Sequence, residues 1–188
     1  MKKEIQQQIF EKYPKIFRQT KLPMTETCMC WGLEIGKGWS KIIDQLCGSI
    51  QNIIDNHKHS IKLKEEKTVT YNRGNGEIVS YQATHDTVPN PQVEFSQVKE
   101  KFGGLRVYTD VVYPPKETTE MFDEDVLQKH FRDFQSNIDG MINFAEYMAA
   151  NTCEICGKDG TMCVRGGWYK TLCPECAKQN EYKTTKEI

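Results

Sequence analysis

Near the start of the chain Ile5, Ile9, Phe10, Tyr13, Ile16 and Phe17 recur at helical spacing, with Pro14 among them. A short helix ending near Tyr13 is predicted, because proline removes a helical hydrogen bond and clashes with the preceding turn. The stretch LPMTETCMCWGLEIGKGWS, residues 22–40, is rich in Gly, Thr and Cys and reads as loop or short extended pieces. A second helix starts at Gly38 or Ser40 and runs to about His57, with Trp39, Ile42, Ile43, Leu46, Ile50, Ile53 and Ile54 on one broad apolar face. From Lys67 the period shortens: β-branched and aromatic residues flank Asn75-Gly76, a hairpin signal. Pro89 and Pro91 mark a loop, Val93, Phe95 and Val98 resume a strand, Gly103-Gly104 interrupts it, and LRVYTDVVY continues extended. That makes about four strands, antiparallel because their connections are short. After Pro114-Pro115, steps of three and four through Leu127, Phe131, Phe134, Ile138, Met141, Ile142, Ala145 and Met148 predict a long helix from about Asp123 to Ala150. Gly140 inside it costs roughly 1 kcal/mol without stopping it.

The expected architecture is therefore α+β: a small antiparallel sheet with about three helices over residues 1–150. A four-cysteine zinc ribbon packed on the long helix follows over 151–182, and then a frayed tail, 183–188. At 38% hydrophobic and 27% charged, the 188 residues match a soluble globular protein that can bury a core. No apolar run approaches the ~20 residues of a membrane span. MKKEIQQQIF lacks the apolar stretch of a secretory signal, so the expected location is the cytoplasm, a host's if the chain is viral. A net charge of −1 withholds the simplest argument for nucleic acid. Charge is uneven, with six Lys/Arg against two acids in residues 1–21 and three against seven in 111–140. A solvated surface accounts for that.

The cysteines carry the sharpest chemistry. Cys153-x-x-Cys156 and Cys173-x-x-Cys176 are separated by sixteen residues, a spacing suited to a tetrahedral four-thiolate zinc site. Gly157 lets the first turn reverse and Pro174 stiffens the second. Four unrelated thiols or two disulfides are the alternatives. Four thiolates fill the tetrahedron, so the expected zinc is structural. Cys163 reads as a spare thiol in the intervening hairpin, and Cys28, Cys30 and Cys47 as buried thiols, since Cys-x-Cys is poor evidence for a second metal.

Two further places differ from plain core. In VKEKFGGLRVY, residues 98–108, Gly103 and Gly104 could let backbone amides form an anion nest, with Lys99, Lys101 and Arg106 adding charge. A glycine bulge or tight hairpin is the alternative. In CMCWGLEIGKGWS, Trp31 and Trp39 could stack a planar ring or simply cap the core. Arg165, Trp168, Tyr169 and Lys170 are residue types with which a ribbon binds nucleic acid, although residues 151–188 hold six basic against five acidic groups. His57 and His59 fit a helix C-terminus. His85-Asp86 is a candidate acid–base pair, and His130 lies in the long helix. No Walker loop, dinucleotide fingerprint or defensible triad is present, so the sequence does not ask for an enzyme.

KYPKIF, GKGWSKIIDQLC, VKEKFGGLRVY, NTCEICG and GGWYKTLCPECA together resemble a family of small proteins common in bacteriophages and bacterial mobile elements. The resemblance covers most of the chain, least so residues 55–92 and 111–140, and KEKFGGLR and GW-x-x-TLC are its most specific parts. Many members end the second zinc pair with histidine where this chain has Cys176. The resemblance implies a setting, action on host machinery or host defence, and no defined activity. The expected function is a non-enzymatic binding protein that captures a small phosphate-bearing, nucleotide-like ligand and so sequesters a host immune signal. Lys101, Gly103, Gly104 and Arg106 would hold phosphate, and Trp31 or Trp39 would stack the base. The alternatives are a zinc-ribbon regulator binding nucleic acid or a host protein, and a nucleotide-cleaving enzyme using His85 and Asp86.

Overall fold

The computed structural model describes residues 1–56 and 58–185. It is α+β, with two sheets, a ribbon and three substantial helices. Helix α1, Lys3–Lys12, ends at Tyr13, one residue before the proline. Helix α2, Ser40–Asn56, follows a 3-10 turn over Lys37–Trp39. His57, where α2 was expected to end, lies outside the described residues, as do 186–188 of the expected tail. Strand β1, Leu33–Glu34, pairs parallel with β4, Gln92–Lys101, which pairs antiparallel with β5, Gly104–Val112. The inward residues Val93, Phe95, Val98, Leu105 and Val107 meet Ile43, Leu46 and Ile50 of α2 in the main core.

The expected four strands are all present and antiparallel in pairs, but they divide between two sheets. Strands β2, His59–Asn72, and β3, Ile78–Val88, form a separate long hairpin. Its turn is the five residues 73–77, closed by Arg73 N–H donating to Glu77 O, with Gly74 and Gly76 in the left-handed region. Strand β2 begins eight residues before Lys67, and His59 is a strand residue whose ring lies 4.9 Å from that of His130. Ile61 and Leu63 alternate inward there and pack with Val88, Phe122, Leu127 and Phe131 as a second small core. The distal arm has no such support.

A short helix α3, Lys116–Thr119, leads to α4, Glu124–Ala150, which begins where Asp123 accepts a hydrogen bond from Val126 N–H. That cap satisfies one of the four free amides at a helix start. The inward face of α4 includes Phe134, Ile138, Ile142 and Ala145. Glu146 on α4 accepts from Val107 N–H at 3.2 Å, covering the open edge of β5. The buried Glu94 of β4 is held by the Arg18 guanidinium and by Gln19.

After α4 come β6, Thr161–Arg165, β7, Trp168–Leu172, helix α5, Pro174–Gln179, and β8, Lys183–Thr184. The tail expected to fray from 183 instead starts as a strand, Thr184 and Lys183 pairing with Cys163 and Val164. Among the described residues no helix is long and apolar enough to cross a membrane.

The second core makes a local prediction. Phe122→Ala should cost about 3–5 kcal/mol, the usual price of emptying a buried phenylalanine site. Hydrogen exchange should show the loss in β2, β3 and the first turns of α4, leaving β4 and β5 protected. Uniform loss across the protein would contradict two separable cores.

Candidate metal centre and adjoining aromatic cleft

The thiols of Cys153, Cys156, Cys173 and Cys176 all lie within 4.8 Å of one another, a group that can hold a metal ion. Cys156 Sγ and Cys173 Sγ are 3.6 Å apart, close to the ~3.8 Å that two tetrahedral corners require at a metal–sulfur distance of about 2.3 Å. Each pair sits on a tight turn. Gly157 closes the first in the left-handed region, donating its N–H to Cys153 O, and Cys176 N–H donates to Cys173 Sγ at 3.4 Å on the first turn of α5. Burial opposes ionisation of the Cys153 thiol, yet the N–H groups of Cys173, Cys156 and Ile155 bring it down to about 7. Burial and the neighbouring thiols push Cys176 up. A bound cation would favour the thiolate at all four. Cys163 lies in the ribbon core on β6, outside the four. Cys28 and Cys30 are half-buried in the first loop, and Cys47 is buried in α2, where burial pushes its thiol up.

The ribbon continues directly from α4, and its first turn is held by the loop before α2. The loop before α2 lies backbone to backbone on the first cysteine turn. Gly38 N–H donates to Glu154 O at 2.8 Å, Gly36 N–H to Glu154 Oε1 at 3.1 Å, and Trp39 Nε1–H to Thr152 O at 2.7 Å. A Cβ at Gly38 would stand 2.1 Å from Cys153 O, and one at Gly36 2.2 Å from Glu154 O. Only glycine permits this approach. Lys170 donates to the buried Glu154 at 2.9 Å. Burial opposes the lysine's charge, but Glu154 outweighs it and raises the Lys170 pKa. This contribution is therefore complete below the unfolded value near ~10.4 and fades as pH climbs through the higher folded one.

These contacts reassign several residues. Trp39 is fully buried and engaged with Thr152, so it caps the core and offers no stacking face. Trp31 is 56% exposed on a 3-10 turn, Met29–Trp31. Gly103 N–H is taken by Glu100 at 2.6 Å and its carbonyl by Thr171 Oγ1 at 2.7 Å, so it forms no anion nest. A Cβ there would meet Met162 Sδ at 2.6 Å, which makes this glycine a second docking point for the ribbon. Gly104 pairs with Lys101 across the turn. Arg106 lies beside Gly104 but is engaged within the chain, donating to Leu105 O and to Glu146. His85 and Asp86 are consecutive on β3, so their side chains point to opposite faces and cannot work as a pair. Asp86 is ion-paired with Lys67, which lowers its pKa.

Docking brings together two hairpin tips. Lys101 pairs with Gly104, leaving Phe102 and Gly103 as a two-residue turn with φ of 52° and 79°. Arg165 pairs with Trp168 around Gly166-Gly167, also left-handed. Between the tips is a cleft of about 380 Å³ lined by Glu100, Lys101, Phe102, Gly167, Trp168 and Tyr169. Phe102 is 71% and Trp168 76% exposed, and Lys101 Nζ lies 5.5 Å from the Phe102 ring centre. Phe102 is the site residue that sequence reasoning passed over. Its signal was a bulky aromatic directly before Gly-Gly, where a turn demands positive φ.

Gly38→Ala should destabilise by about 1–3 kcal/mol through overpacking. Thermal unfolding and hydrogen exchange should place the loss at the first cysteine turn and the start of α2. A variant of wild-type stability would show that the backbone approach is not required. No family of known proteins, no curated protein and no solved structure matches this chain.

Proposed function

We propose that the four cysteines hold one structural zinc ion, and that the ribbon and the β4–β5 turn together form the binding surface of a non-enzymatic protein for a phosphate-bearing, nucleotide-like ligand. Four clustered thiols suit zinc better than oxygen-seeking cations, and as four thiolate ligands they would leave no position for a reacting water. The observation that carries the ligand reading is the convergence of Phe102, Trp168, Tyr169 and Lys101 on one cleft. Aromatic faces stack bases whatever their identity, and a base on Phe102 would bring its phosphate toward the Lys101 ammonium. Lys101 keeps its expected role, Trp31 is exposed but does not line this cleft, and Gly103, Gly104, Arg106 and Trp39 are read as structural. In the mobile-element setting that the sequence resemblance implies, capture would withhold a host nucleotide signal. A second reading, single-stranded nucleic acid, is favoured by the exposure of Trp168 at a hairpin tip next to Arg165.

Elemental analysis should find one zinc per chain, unchanged by Cys28→Ser and lost in Cys153→Ser, with the ribbon loosening first under a chelator because binding energy here is folding energy. Metal-free protein that is fully folded would sink the zinc assignment.

Calorimetric titration against a panel of signalling nucleotides tests the cleft. Trp168→Ala should remove roughly 1–3 kcal/mol of stacking, or about one to two powers of ten in affinity. Nucleotide released intact after heat denaturation supports capture, and an altered product means catalysis. Steeply salt-dependent binding confined to oligonucleotides favours the second reading.

A further inference from the structure

The groove between α2 and α4, about 920 Å³, has no part in the cleft. Ile42 and Leu46 of α2 and Met141 and Ala145 of α4 are among its lining residues, and Phe144 stands beside it, 65% exposed. The outer stripe of α4 runs through Ser136, Asn137, Gly140, Met141, Phe144, Tyr147 and Met148 without a charge, in a chain that is 27% charged. Tyr147 is 66% exposed on that stripe. Loss of charge at the centre of a surface patch marks protein interfaces.

Gly140 is unexplained by its own chain. It lies ten residues from the end of α4, where glycine weakens a helix, and a Cβ built there meets nothing within 4 Å. We propose that this face binds a second copy of the chain, with two α4 helices packed antiparallel about a two-fold axis at the level of Ile142. Residues equally spaced either side of that level then face each other. Phe144 of each copy sits over Gly140 of the other, and Asn137 faces Tyr147. The knob and its seat lie on the same helix, the self-complementarity that a two-fold interface needs. The exposed parts of Phe144 and Tyr147 remove on the order of 250 Å² per copy, about a third of the ~800 Å² per partner of a standard interface. The groove walls add to this, and an interface of this small size is expected to be reversible.

Sedimentation equilibrium of the full chain, over concentrations reaching the millimolar range, should show a monomer–dimer equilibrium. Phe144→Glu places charge at the centre and should raise the dissociation constant at least about tenfold. Gly140→Gln should move two readouts in opposite directions. It raises the midpoint of thermal unfolding of the dilute monomer, because a helix former replaces glycine in open space, and it weakens the dimer by filling the seat of Phe144. A wild-type protein monomeric throughout overturns the proposal and leaves the groove to a helix of another protein. A dimer that tolerates both substitutions overturns it as well.

Discussion

Peptide lies against peptide where Gly36 and Gly38 meet Cys153 and Glu154, and the docking of the C-terminal ribbon depends on that contact. The clearances, 2.2 and 2.1 Å from a hypothetical Cβ to carbonyl oxygen, admit no side chain. Three donors, Gly36 N–H, Gly38 N–H and Trp39 Nε1–H, converge within three residues on the carbonyls of Thr152 and Glu154 and the Glu154 carboxylate. A buried carboxylate is costly unless it is hydrogen-bonded, and Glu154 is served from both sides, by Gly36 and by Lys170. The first cysteine turn is thus held by the loop that starts α2. Any energy a metal contributes to that turn is transmitted to the helix behind it.

The same logic places the cleft. The β4–β5 turn is on the main core and the β6–β7 turn on the ribbon, so neither alone makes a concave surface. They meet because Gly103 lets Met162 and Lys170 come close and because Thr171 donates to the Gly103 carbonyl. Ribbon and core share this interface closely enough that a boundary at residue 150 separates chain segments more than functions.

What could be read from the sequence was local. Asp123 caps α4 and Ala150 ends it, both within one residue of the expected bounds, because capping and a 3.6-residue period are set within a few turns. The four cysteines were legible for the same reason. The division of strands into two sheets was not, because pairing partners are chosen over tens of residues. Nor was the start of β2, where the only alternation is Ile61 and Leu63 amid lysines and glutamates. Trp31 and Trp39 share one loop and similar neighbours. Trp39 is the one that enters the main core, with its Nε1–H on the distant carbonyl of Thr152. The glycine pair at 103–104 announces an unusual backbone, but whether it receives a ligand or another part of the same chain is decided by Met162, fifty-nine residues away.

Among the described residues two non-glycine residues adopt positive φ, Phe102 and Glu181, and they differ in what accounts for them. Glu181 follows the C-cap of α5, and Tyr182 N–H returns to Ala177 O, the ordinary left-handed ending of a helix. Phe102 has the turn geometry of a two-residue hairpin, which glycine, asparagine or aspartate would adopt with less strain. An aromatic there costs on the order of 1–2 kcal/mol in backbone conformation. It is largely exposed, so burial inside the chain does not offset that cost. The equivalent tip of the ribbon uses Gly166-Gly167 and places its aromatic, Trp168, just after the turn, without strain. Phe102 and Trp168, both exposed, line the same cleft, and a ligand held there would offset the strain of the turn. Phe102, more than the glycines beside it, is therefore the residue on which the proposed binding surface stands or falls.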